Sequence, residues 1–297
     1  MDCALTLVAR GRAVKPVCQA LGVARSHVMN KLKRPASWQD RRKGRSPTDD
    51  AQLVQELRGV VVQLQSYGYR RACELVNRQR EAAGADRVNA KRAYRVMRDN
   101  GLLLRRHTGR PVDTRGHDGK VAVTQSDRRW CSDGFEITCD NKQKVRVAFS
   151  LDCCDREAIS WVATTGGLDA NMICDLMIES VENRFGDRVP SRPVEWLTDN
   201  GSPYVARQTQ SFARDIGLVP LTTPISSPQS NGMAESFVKT FKRDYVTRMD
   251  LRDASAVIAQ LPAAFEHYNE VHPHSALKMK SPRMFRRDAE RQPQASN

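Results

Sequence analysis

The chain has 297 residues, is 40% hydrophobic and 28% charged, and carries a formal net charge of +14. That length suggests two domains, and the apolar fraction is enough for a proper core. No run of about 18 apolar residues occurs, so no membrane span is expected, and MDCALTLVARGRAV at the start lacks the apolar stretch and cleavage site of a signal peptide. Eight cysteines at 3, 18, 73, 131, 139, 153, 154 and 174 form no CxxC and no zinc-finger spacing, so reduced, mostly buried thiols in a cytoplasmic protein are expected.

The charge is unevenly placed. Residues 1–120 hold 26 Lys and Arg against 11 Asp and Glu, whereas 121–297 hold 22 against 23. A basic front joined to a near-neutral back points to nucleic acid as the partner of the front; a merely solvated basic surface is the alternative.

In chain order, VKPVCQALGVARSHVMNKLK at 14–33 places Val17, Leu21, Val23, Val28 and Leu32 around Gly22. This is helix–turn–helix spacing within a unit over 1–35, and Arg25, Asn30 and Lys31 then lie where DNA would be met. A basic linker follows over 36–49, rich in Pro, Gly and Ser. A helical block over 50–104 reads as helices at 50–65, 70–79 and 88–100, the last ended by Gly101. In it Lys91, Arg95 and Arg98 share one helix face, with Ala93, Val96 and Met97 opposite. Such a helix packs inward and meets phosphates outward, or is simply an exposed helix. Residues 105–120 form a second basic linker.

From Arg129 the periodicity changes. RRWCSDGFEITC, KVRVAFSLDCC and EAISWVATT alternate like strands and read as an antiparallel meander. A helix at 168–185, a strand at 194–198, a helix at 204–216, a strand at 218–222, a loop and a helix at 233–249 follow. The expected fold over 121–250 is therefore α/β with a mixed five-stranded sheet, with a helical tail at 251–297.

Three carboxylates stand out by position: Asp133 inside the first strand, Asp199 ending the fourth, and Glu235 in the first turns of the late helix. Asp199 opens Asp-Asn-Gly, which by itself reads as a turn. Together the three acids suit a pair of divalent cations acting on a phosphodiester, with Mg²⁺ the expected cofactor and Mn²⁺ its substitute. Lys239 and Lys242 lie at i+4 and i+7 from Glu235, on its face of the helix. An ordinary exposed Glu–Lys pair is the alternative there.

Trp130-x-x-Asp133, then Asp199-Asn200-Gly201, then Glu235 after 35 intervening residues with Lys242 seven further on, resembles the DDE signature of retroviral integrases and insertion-sequence transposases. LDCCDREAISW at 151–161 resembles the "LDxxSRxIVGW" strand pair of the latter, SPQSNGMAESF at 227–237 their "SPxxNAxxESF", and YNEVHPHSALKMKSPRMF at 268–285 their "YNxxRPHxxLxxxxPxxF" tail. YGYRRACELVN with RAYRVMRDNGL resembles their helical segment ahead of the core. The chain is thereby identified as a member of the OrfB-type DDE transposases of the insertion sequence three family, close to insertion sequence two. Two departures stand out: His272 replaces the usual Arg, and Pro203 the usual Gln. The zinc module of retroviral integrases has no counterpart.

The resemblance implies a ribonuclease-H-like, integrase-type catalytic domain preceded by helical DNA-binding units. It implies Asp133, Asp199 and Glu235 as catalytic metal ligands, and metal-dependent 3′-end cleavage followed by strand transfer. The expected partners are double-stranded DNA (the element's terminal inverted repeats and target DNA), further copies of the chain in a nucleoprotein complex, and a fused product of an upstream frame. DNA contacts are expected from Lys239, Lys242, Arg70, Arg71, Lys91, Arg95, Arg98, Arg25 and Lys31. A non-catalytic DNA-binding protein would be expected to lack one of the acids, and a simple nuclease would leave the basic helical front unexplained.

Overall fold

The computed structural model describes residues 2–35, 38, 49–105, 122–222 and 232–291. The two expected basic linkers fall largely outside the described residues, as does 223–231, which carries the first part of the SPQSNG motif. Among the described residues no helix is long and apolar enough to cross a membrane.

The chain divides into two compact units, Met1–Asp50 and Ala51–Asn297. The first holds three helices, α1 (Asp2–Ala9), α2 (Val14–Ala20) and α3 (Arg25–Leu32). Gly22 takes φ +60° between α2 and α3, the left-handed turn that the helix–turn–helix spacing requires of a glycine. Ala4, Val17, Cys18 and Val28 form the small core. Helix α1 was not foreseen, although Ala4, Leu5 and Val8 follow helical spacing.

In the second unit, α4 (Ala51–Gln63), α5 (Tyr69–Ala82) and α6 (Ala90–Asp99) enclose a cluster built on Leu57, Val76, Val96 and Met97. Each helix buries one stripe, as amphipathic spacing dictates. Asn89 caps α6, its side-chain oxygen accepting the Lys91 N–H at 2.8 Å.

The sheet follows, in the order β3-β2-β1-β4-β5, from β1 (Arg129–Thr138), β2 (Lys144–Asp152), β3 (Ala158–Thr164), β4 (Val194–Thr198) and β5 (Leu218–Thr222). The first three are antiparallel, joined by short turns; β4 runs parallel to β1 and β5 parallel to β4. Parallel pairing needs crossovers, supplied by α7 (Ala170–Phe185) and by α8 (Ser202–Val205) with α9 (Arg207–Asp215). The single helix expected over 204–216 is thus two, broken at Ala206, whose backbone is extended with ψ 136°.

Alternation divides the sheet's side chains. Trp130, Ala148 and Ile159 face α7 and α9. Cys131, Phe135, Phe149 and Leu151 face α10 (Gly232–Asp244) and α11 (Ala254–Glu270). On that side Phe237 lies 4.5 Å from Phe149 and Phe241 5.6 Å from Phe135, centroid to centroid. Burying each such ring contributes about 1.5–3 kcal/mol.

The helical block and the tail, expected as units of their own, lie in one compact unit with the sheet. Val257, Leu261, Phe265 and Tyr268 of α11 belong to the core over β1 and β2. Helix α12 (Pro282–Arg291) is tied down by Arg283 and Arg286, which both donate to the buried Glu157 at 2.8 Å. The α4–α6 block is fastened to the tail by Arg78, which donates to the carbonyls of Val271 and Met279 at 2.8 and 2.6 Å. Sequence periodicity shows which face of each helix is apolar but not what covers it, so this docking was not foreseen.

Candidate active site

Strand register brings the first two acids together. In the parallel pair, Arg129 sits opposite Glu195 and Cys131 opposite Leu197. The pairing ends there; Asp133 lies two residues further along β1, and Asp199 two residues past Leu197, just beyond the end of β4 at Thr198. Helix α10 supplies the third. Phe149, the cross-strand partner of Asp133, lies 4.5 Å from Phe237, centroid to centroid, and Glu235 precedes Phe237 by two residues in the first turn of α10.

Asp133 is half-buried, and its carboxyl is pushed up to about 6, chiefly by burial and also by the nearby charges of Asp199 and Glu235, with the Gly134 N–H, donating at 2.7 Å, opposing the shift. Each of the other two acids therefore lies within the electrostatic reach of Asp133. Among the described residues no three acid, histidine or cysteine side chains stand at the spacing of a metal cage. The carboxylates share a region without closing on one point, which is what like charges do. Glu235 leans toward Lys239, with 3.6 Å between oxygen and nitrogen.

Asp199 is also a turn residue: its Oδ1 accepts the Gly201 N–H at 2.9 Å. One oxygen of this carboxylate thus shapes the turn. Sequence reasoning missed two supports beneath the acids. The Tyr204 hydroxyl accepts from Ser132 Oγ at 3.1 Å; burial holds the phenol above its ordinary range, and Asp133 and Asp199 push it the same way. A Cβ at Gly134 would stand 2.9 Å from Leu168 Cδ1, so only glycine fits there without a shift. The available signal was Ser132, a polar residue on the otherwise apolar strand face opposite to Asp133.

The resembling LDCCDREAISW stretch proves structural. The buried Asp152 accepts the backbone N–H groups of Asp127, Cys154 and Asp155 at 2.7, 2.6 and 3.0 Å. Arg156, held at φ 65°, places a guanidinium nitrogen on the sulfur of Met233 at the start of α10.

The expected DNA contacts fare unequally. Lys242 is exposed and lies 5.8 Å over the Phe135 ring. Lys239 is 79% exposed and shares Glu235's face. Lys91, Arg95 and Arg98 project from the outer face of α6, with Arg98 paired to Asp99 at 2.8 Å. Arg70 is exposed beside Tyr69, 5.5 Å from its ring. In the first unit Arg25 is exposed, while Lys31 stands 4.0 Å from Asp2. Arg71 points inward instead, donating to the fully buried Asp244 at 3.2 Å. His272, at the position where Arg is usual, is likewise fully buried and bonded to Tyr67 at 2.6 Å, so it faces the protein rather than a phosphate.

Two models described as "Integrase core domain" match residues 123–228 and 220–282, and one described as "IS2 transposase InsD, N-terminal domain" matches 1–37. The transposase InsD for insertion element IS2A/D/F/H/I/K of Escherichia coli is 51% identical over 287 residues, 97% of this chain and 95% of the relative. The chain belongs to the InsD transposases of insertion element IS2. A further InsD, for element IS2-9 of Escherichia coli strain K12, is 50% identical over 97% of this chain and 93% of its own length. Among solved structures, a simian T-cell lymphotropic virus intasome in complex with PP2A regulatory subunit B56 gamma matches at TM-score 0.48 and 14% identity, over 71% of this chain and 69% of that one. The HTLV-2 integrase catalytic core domain in complex with magnesium matches at TM-score 0.40 and 15% identity, over 54% and 95%. As an InsD transposase the protein is an enzyme of the DDE type, with an integrase core of ribonuclease-H-like fold and a mixed five-stranded sheet.

Proposed function

We propose that this InsD-family transposase cleaves 3′ ends of its insertion element and transfers them to a second phosphodiester, with Asp133, Asp199 and Glu235 as the catalytic acids. The observation that carries the reading is membership of the InsD transposases, 51% identity over 97% of the chain with an integrase core over 123–228, in which a half-buried Asp133 lies within the electrostatic reach of Asp199 and Glu235. A half-buried site with surplus negative charge and hard oxygen donors fits divalent cations, Mg²⁺ or Mn²⁺. Bound there, such ions would stabilise the charge that develops on the attacking and leaving oxygens of the phosphodiester. Asp133 presents its carboxylate from within β1, Asp199 from just beyond the end of the neighbouring β4, and Glu235 from the first turn of α10, which packs on the core over β1 and β2. Lys242 and Lys239, on the outer side of α10, suit the DNA backbone beside the acids.

DNA is the proposed partner throughout, as element ends and as target, in a complex holding more than one copy of the chain; a fusion to an upstream frame product remains part of this reading. The cationic face of α6 and the exposed Arg25 of α3 suit phosphates, and their affinity would fall steeply with salt. The domains expected from sequence serve here as a division of labour: residues 1–120 contribute most of the affinity, and the remainder the chemistry.

The test is Asp199→Asn, which preserves shape and the Gly201 turn while removing a ligand charge. Cleavage and joining should fall at least a thousandfold, with gel-shift affinity for end DNA within threefold of wild type. Joining near the wild-type rate would overturn the assignment.

A further inference from the structure

Helix α10 carries Glu235 at one end and Asp244 at the other, nine residues or about 13 Å apart. Most of what holds the helix is apolar: Phe237, Phe241 and Tyr245 against β1, β2 and α11. Apolar burial is non-directional and permits small tilts and slides. Asp244 is different. Its carboxylate is wholly buried and is engaged by two guanidinium groups. Arg243, its neighbour, reaches both oxygens at 2.6 and 2.7 Å but moves with the helix. Arg71, at 3.2 Å, comes from α5, in the block of helices ahead of the sheet.

The surroundings make that second contact directional and demanding. Tyr67, also fully buried, lies 5.4 Å from the His272 ring and shares a 2.6 Å hydrogen bond with its Nδ1. His272 Nδ1 stands 3.9 Å from Asp244, and the ring stacks on Tyr268 at 5.3 Å. Aromatic walls lower the local dielectric, so an uncompensated carboxylate here is costly and the ion pair is sensitive to geometry.

We propose that Arg71 and Asp244 are positioning residues: their pair fixes α10 to the α4–α6 block, so that the placing of Glu235 in the catalytic site depends on the docking of the helices ahead of the core. A tilt of about 10° pivoting at Asp244 would displace the Glu235 carboxylate by about 2 Å, and misplacement of even 1 Å at a catalytic group costs on the order of a hundredfold in rate. The same joint holds the cationic face of α6 in a set relation to the acids, so DNA on that face would meet them in register. The inference rests on the assignment of Asp133, Asp199 and Glu235 made above. It reassigns Arg71 from a DNA contact to an internal strut.

The experiment uses the full chain and Mn²⁺ alone as probe, with no DNA. Thermal unfolding is followed against Mn²⁺ concentration for wild type, Arg71→Ala, Arg71→Lys, Asp244→Asn and, as control, Asp199→Asn. Arg71→Ala and Asp244→Asn should need at least tenfold more Mn²⁺ for the half-maximal rise in Tm, and the double variant should be no worse than the weaker single. Joining at saturating DNA should fall at least tenfold in both, with the DNA concentration for half-maximal rate within threefold of wild type. If Arg71→Ala does not fold, Arg71→Lys is the reading variant: it retains the charge but not the fork, and a threefold or greater shift in the Mn²⁺ midpoint is expected. A wild-type Mn²⁺ response in the folded Arg71 and Asp244 variants would overturn the proposal. So would a loss confined to DNA affinity in the Arg71 variant, which is the signature of a phosphate contact. If Asp199→Asn itself keeps the wild-type Mn²⁺ response, the assignment of the three acids fails, and the strut with it.

Discussion

Replacing Asp133 by Asn should stabilise the metal-free protein while abolishing its chemistry. The folded carboxyl is raised from 3.8 to about 6, chiefly by burial. At one pKa unit per ~1.4 kcal/mol, ionising it in the folded state costs up to ~3 kcal/mol relative to the unfolded chain. Partial exposure of the side chain to solvent brings the expected effect to about 1–2 kcal/mol. The sign follows from proton counts. Between pH 3.8 and about 6 the folded protein holds a proton that the unfolded chain has released, so stability falls as pH rises through that window and is level above it. Asn is nearly isosteric, carries no charge, and can still accept the Gly134 N–H that now reaches Oδ1 at 2.7 Å. Urea unfolding in EDTA should therefore show Asp133→Asn more stable than wild type by about 1–2 kcal/mol near pH 7.5, with the gap closing toward pH 4.5. Saturating Mn²⁺ should shrink or reverse the gap at pH 7.5, because only the wild type gains from binding. A variant less stable than wild type at pH 7.5, or a gap that does not change with pH, would refute the electrostatic account of this site.

Two further outcomes follow from the packing. Phe241→Ala empties a fully buried position between Phe135, Tyr245 and Phe265 and should cost about 3–5 kcal/mol, read as a fall in the urea midpoint at unchanged slope. His272 is held neutral by burial, well below its ordinary range, so the stability it permits is present above about pH 6.5 and is lost as pH falls below that value; His272→Gln should flatten the stability curve there by up to ~1.4 kcal/mol per pH unit, measured by denaturation at pH 5, 6 and 7.

What the sequence determined by itself was local and periodic. Alternation in RRWCSDGFEITC and KVRVAFSLDCC placed β1 and β2 and, with them, the side of the sheet that Asp133 faces, because a strand's side chains have period 2. The 3.6-residue stripe in the helix at 88–100 was enough to send Ala93, Val96 and Met97 inward and Lys91, Arg95 and Arg98 outward. The three acids were legible as a constellation only through their spacing in a known signature; no local rule distinguishes Asp199 from an ordinary Asp-Asn-Gly turn, and in the structure it does serve as one. Tertiary structure alone decided which surfaces meet. Nothing in YGYRR distinguishes Arg70, left exposed beside Tyr69, from Arg71, half-buried and paired with the buried Asp244 far along the chain. His272, which stands where Arg is usual, is a buried partner of Tyr67. The tail at 251–297, expected as a helical segment of its own, supplies Val257, Leu261, Phe265 and Tyr268 to the core over β1 and β2. The physical reason is the same in each case: helix and strand periods follow from backbone geometry within a few residues, whereas the partner of a buried charge or an apolar face is set by packing between segments that the chain order keeps far apart.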